Sequence, residues 1–123
     1  MRIGNLTING VDYPIIFSTA VAIALEDKTG KSASEGLTEI FQKAQLKDLF
    51  WLIAEMIRAG CNYKRLMGEP HPDPISFEDL ATLTAISDYG DLFAGAMEVA
   101  TNGVRPEVIV EPESKNLQAS PDD

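Results

Sequence analysis

The chain has 123 residues and carries 19 acidic against 10 basic side chains, a net charge of −9. That length fits one domain, and that charge argues against a nucleic-acid surface, which needs clustered cations where only Lys64-Arg65 are adjacent here. A single cysteine, Cys61, excludes an intramolecular disulfide. No apolar run reaches the roughly 20 residues that a membrane span requires. Met1 to Asn9 alternates in polarity instead of presenting a basic start and an apolar block, so no signal peptide and a cytoplasmic location are expected.

The chain opens on a hairpin pattern. Short alternating segments, Arg2 to Ile8 and Val11 to Ile16, flank Asn9-Gly10, a dipeptide that accepts the two positive φ angles of a type I′ turn. Pro14 has no N–H to donate, so the second strand is an edge there or is already leaving the pair. A lone hairpin is marginal in water and must lie on helices or on another subunit. A first helix follows, with Phe17, Ala20, Val21, Ala24 and Leu25 at helical spacing, Ser18 as N-cap and Gly30 as stop. After the polar turn Lys31–Ser34, a second helix places Leu37, Ile40, Phe41 and Ala44 on one stripe. Gln45-Leu46 reads as a joint, with the next helix starting near Lys47 or Asp48.

The stretch Lys47–Gly60 is the expected centre of the core. Leu49, Leu52, Ile53, Met56 and Ile57 fall on one helical face, and Phe50, Trp51 and Ala54 widen it beyond what one neighbour covers. Gly60 reads as a stop, with one further turn over Cys61–Met67. The prolines at 70, 72 and 74 impose an extended loop. Ser76 and Asp79 then form a capping-box-like helix start, stapled by Ile75 and Leu80. Phe77, Leu80, Leu83 and Ile86 supply its apolar side, and Gly90 predicts a kink or break near Ser87–Gly90. A last helix through Leu92, Phe93, Ala96, Met97 and Ala100 stops at Asn102-Gly103. The fold class is therefore mainly α with a short N-terminal β-hairpin: four to six helices in one domain over 1–103, and an acidic, proline-containing tail over 104–123 expected to be disordered in isolation.

Candidate chemistry is sparse. His71 is the only histidine and stands between prolines, with Glu69 and Asp73 beside it; a metal or acid–base role needs a second ligand or base that the sequence does not place nearby. Cys61 follows a helix whose C-terminal end disfavours a thiolate, so it reads as a structural thiol. Glu26-Asp27 and Glu78-Asp79 are neighbours that diverge on a helix, and the second pair already suits a helix N-terminus. Gly30, Gly36, Gly60 and Gly68 are spaced as stops and turns, not as a phosphate cradle. Neither catalytic residues nor a cofactor nor a metal is expected. Phe41, Phe50, Trp51 and Met56 read by default as core, the usual place of aromatics at helical spacing. The alternative, compatible with it, is a groove or oligomer seam, because the apolar helix face exceeds what one neighbour covers, and the open hairpin edge gives a second route to self-association.

The order of these signals resembles the tail assembly chaperones of long-tailed bacteriophages, small acidic proteins with a short β element followed by helices. The matching stretches are the hairpin with Phe17–Ala20, Leu25-Glu26 to Thr29-Gly30, Gly36-Leu37, Asp48-Leu49 through Ala59-Gly60, and Ser76–Leu80. Together they span about residues 5–100. The resemblance implies a non-enzymatic protein of the host cytoplasm that binds the helical tape measure protein, keeps it soluble, helps recruit tail tube subunits and self-associates. It also implies a short form, with the tail from Val104 at the junction to a frameshifted longer one. Client contacts are expected at Phe41, Phe50, Trp51, Ile53, Met56 and Phe93. The competing reading is a small acidic helical adaptor or regulatory module that binds another protein.

Overall fold

The computed structural model describes residues 2–103. The expected tail, 104–123, lies outside the described residues. Strands β1 (Ile3–Ile8) and β2 (Val11–Ile16) pair antiparallel around Asn9-Gly10, whose φ angles of 51° and 80° are those of the type I′ turn that this dipeptide favours. A two-residue loop makes Ile8 and Val11 a hydrogen-bonded pair, and such pairs alternate along the ladder with non-bonded ones. Counting from the turn, Asn5↔Pro14 is a non-bonded pair, so the nitrogen of Pro14 faces away from β1 and the ladder loses nothing.

Among the described residues five α-helices follow: α1 (Thr19–Thr29), α2 (Ala33–Lys43), α3 (Leu46–Leu66), α4 (Phe77–Leu83) and α5 (Tyr89–Gly103). A single 3-10 turn, Ile86–Asp88, joins the last two. Local chemistry explains most of the boundaries. Ser18 occupies the N-cap of α1 without a side-chain bond, and Gly30 ends the helix at a φ of 71°. The hydroxyl of Ser32 accepts from the Glu35 amide at 3.2 Å to start α2. Ser76 does the same for Asp79 at 3.1 Å to start α4, with Ile75 and Leu80 both buried beside it as a staple.

The joint between α2 and α3 is made by Ala44, which caps α2 at a φ of 53° and so leaves the apolar stripe that its spacing suggests. Helix α3 begins at Leu46, ahead of the expected Lys47 or Asp48, behind Gln45 as N-cap.

Helix α3 is the centre of the structure. Leu49, Leu52, Ile53, Met56 and Ile57 are completely buried, each stabilising the fold by about 1.5–3 kcal/mol relative to exposure. β2, α1, α2 and α4 all pack on it. The expected stop at Gly60 does not occur: the helix runs through it to Leu66 without a break. Glycine is there for space. A Cβ at Gly60 would lie 2.1 Å from the carbonyl oxygen of Pro14, so α3 touches the backbone of β2 at this point.

Helix α5 lies across both strands, where Gly4 and Gly95 give room to Val99 and Leu6. Gly4, Leu6, Tyr13 and Ile15 share that covered face, whereas Asn5 and Thr7 of β1 stay exposed.

The end of α4 departs from expectation. The helix stops at Leu83, and Thr84 and Ala85 are extended, so the break precedes the expected Ser87–Gly90 and Gly90 lies inside α5. The Thr84 hydroxyl bonds back to the Leu80 carbonyl, and the Asp88 carboxylate accepts from the Ala85 amide, a local alternative to continuing the helix. Leu83, the last residue of α4, and Ile86 point outward, 46% and 75% exposed, and do not join the apolar side.

The two glycines make a paired prediction. Gly60→Ala should destabilise the protein by about 2 kcal/mol or more through the clash with the Pro14 backbone. Gly90→Ala, in open helical surroundings, should stabilise it by about 0.5–1 kcal/mol. Urea unfolding of the two variants against the parent checks both signs.

Candidate protein-binding surface

The six expected contact residues do not form one surface. Ile53 and Met56 have no exposed area, because the α3 face that carries them is covered by neighbouring elements. Phe41 and Phe93 come together from α2 and α5, edge to face with centroids 5.3 Å apart; Tyr89 lies against Phe93 at 5.7 Å and its hydroxyl donates to the Ala44 carbonyl at 3.3 Å. This cluster seals the α2–α5 seam and leaves its two phenylalanines only partly buried.

Trp51 is also partly buried and faces another way. The Lys28 ammonium of α1 stands 4.8 Å from its ring centroid and 3.7 Å from the Asp48 carboxylate, so a cation–π contact and an ion pair cover the indole. Phe50, one residue away, points into a separate cleft.

That cleft, about 250 Å³, lies between the start of α3 and the α4 to 3-10 connection, and is lined by Leu46, Phe50, Phe77, Ala81 and Ile86 with Lys47 at its mouth. Phe50 is buried at its floor, while Leu46 and Ile86 stand 45% and 75% exposed at its rim. A large apolar floor with apolar rims is the arrangement that receives an anchor side chain of a partner helix. Thr84 and Ala85, extended where α4 ends early, line the cleft as well and lead into Ile86. Leu46, Phe77 and Ile86 were not expected as contacts. Their sequence signal was weak, since Leu46 reads as a joint and the other two as core.

A larger groove of about 510 Å³ runs between α1 and α3 beneath the proline loop, lined by Ala20, Ala24, Ile23, Ala59, Arg58 and His71 among others. Its cations are already engaged on α3: Arg58 with Glu55, and Arg65 with the Asn62 side-chain oxygen at 2.6 and 3.0 Å. His71 turns its Nδ1 toward the adjacent Pro72 carbonyl at 2.9 Å. Cys61 reaches the wall of this groove but is only 2% exposed, and burial first, then the negative charge of Asp73, pushes its thiol upward from the ordinary range.

Among the described residues no polar or charged side chain is buried, no group of three or more His, Cys, Asp or Glu side chains is placed to hold a metal ion, and no helix is long and apolar enough to cross a membrane. No family model, curated protein or solved structure matches this chain.

The raised Cys61 pKa fixes the sign of a pH effect. The folded state holds the thiol proton to higher pH than the unfolded chain, so Cys61 leaves stability unchanged below the unfolded thiol's pKa and lowers it as pH rises above that value. Ellman's reagent at mildly alkaline pH should therefore label native protein slowly and unfolded protein at once, and Cys61→Ala should flatten the alkaline fall in stability.

Proposed function

We propose that the chain is a non-enzymatic tail assembly chaperone of a long-tailed bacteriophage, working in the host cytoplasm without a cofactor. It binds the tape measure protein, keeps it soluble and helps recruit tail tube subunits. The observation that carries this reading is the apolar cleft between α3 and α4, open at Leu46 and Ile86, on a chain whose net charge of −9 would keep a complex with an apolar client in solution. A long helical client presents apolar side chains at three- and four-residue spacing, and one of them can seat against Phe50 and Phe77 while its neighbours meet Leu46 and Ile86.

The expected contacts divide accordingly. Phe50 forms the cleft floor. Phe41, Trp51 and Phe93 offer partial surfaces elsewhere, and Ile53 and Met56 act through the packing that holds α3 in place.

Co-expression with the tape measure protein tests the reading. A soluble complex should elute together, and Ile86→Asp, at a side chain too exposed to be needed for folding, should reduce recovered client by about tenfold, the effect of losing one hot-spot contact. Failure of the parent protein to solubilise the client, or equal recovery by the Ile86→Asp variant at an unchanged unfolding midpoint, contradicts it.

A further inference from the structure

The two edges of the hairpin are treated differently by the fold. In the register set by the two-residue turn, the outward-facing backbone groups on β2 belong to Asp12, Pro14 and Ile16, and those on β1 belong to Ile3, Asn5 and Thr7. The β2 edge is blocked at its centre and beyond: Pro14 has no N–H, its carbonyl is met by α3 at Gly60, and Pro14 and Ile16 are buried. The β1 edge is open. Among the described residues, no hydrogen bond reaches the outward N–H or C=O of Ile3, Asn5 or Thr7, and all three residues are exposed. None of the devices that blunt an edge is present on β1, which has no proline, no bulge and no charged residue.

We propose that this edge pairs with β1 of a second copy of the same chain, antiparallel about a twofold axis at Asn5, to give a four-stranded sheet. Asn5 then opposes the second copy's Asn5, and Ile3 opposes its Thr7. Each of these three pairs exchanges two backbone hydrogen bonds, and an isoleucine (44% exposed in the free chain) packs on a threonine methyl at both ends.

Charge selects this partner. The chain is strongly acidic, so most surfaces would bring carboxylates together on self-association, but the β1 segment from Ile3 to Ile8 is neutral. The surrounding charges also fit. Gly95 lies at Leu6 and Val99 at Gly4, so α5 runs antiparallel to β1, and one more helical turn sets Asp91 at the level of Ile8. The pairing register puts Arg2 opposite the second copy's Ile8, and hence level with the second copy's Asp91, a carboxylate with no ion pair among the described residues. Within each copy Arg2 already holds Glu98 at 2.8 Å, which offsets the approach of the two Glu98 side chains near the axis. With α5 astride β1 and β2, the two copies' α5 helices lie on one face about 10 Å apart, the usual separation of packed helices.

This inference does not depend on the client, because it uses a different part of the molecule from the cleft. Light scattering coupled to size exclusion across a hundredfold concentration range should show a monomer–dimer equilibrium. Asn5→Pro removes an outward N–H without touching the β1–β2 ladder, and should raise the dissociation constant by at least about tenfold while the circular dichroism of the monomer is unchanged. Should that variant fail to fold, Asn5→Cys serves in its place. Mild oxidation should join two copies of it through the introduced thiols, whose opposed Cα atoms lie within disulfide range, and should not join copies of a Thr82→Cys control. A protein monomeric at every concentration, a dimer that Asn5→Pro leaves intact, or equal cross-linking of the control overturns the proposal. A monomer whose Asn5 and Thr7 amides resist exchange also overturns it, by showing that the edge is occupied within one chain.

Discussion

The rest of the structure depends on the contact between Gly60 of α3 and the backbone of Pro14 in β2. A two-stranded hairpin has too little area to be stable alone, and the broad apolar face of α3 needs covering. Bringing the two together with no side chain between them lets one element solve the problem of the other. Together with α5 it buries Tyr13 through Ile16, and it gives Leu52, Ile53, Met56 and Ile57 a packed environment. Once α3 is seated there, α1 and α4 can flank it, and α5 closes the remaining face of the hairpin through Val99 and Ala96.

The same contact determines which surfaces are left over. It blocks the β2 edge at Pro14, whereas the β1 edge stays open. It also fixes the start of α3 next to α4, where Phe50, Phe77 and the outward Ile86 frame the apolar cleft. The client binding proposed at the cleft and the self-pairing proposed at the edge would therefore use separate regions. No charged residue lies on β1 itself, although the chain carries a net charge of −9.

Where a residue's signal is local, the sequence was legible. Asn9-Gly10 names its turn, Ser76 its cap, Gly30 its helix end, and the i, i+3, i+4 spacing of Leu49 to Ile57 its buried face. Where the cause is tertiary, it was not. Gly60 looks like a stop and is instead a clearance for Pro14, a role that depends on a strand 46 residues earlier in the chain. Ala44 has no local preference for the positive φ it adopts at the α2–α3 joint. Leu83 and Ile86 repeat the three-residue step from Leu80, but each such step falls about 60° short of a helical turn, so both lie outside, and Thr84 and Asp88 offer the backbone bonds that end α4 early. The apolar cleft was hidden for that reason, and the expected contacts concentrated on α3, whose apolar face is largely consumed by the core.

Native-state hydrogen exchange tests the dependence on α3 most directly. If the hairpin is stable only through its contact with α3, the ladder amides of Leu6, Tyr13 and Ile15 should open with the same free energy as those of Ile53 and Met56, as one cooperative unit. A hairpin that exchanges quickly, at a low opening free energy insensitive to denaturant while α3 remains protected, would contradict the account.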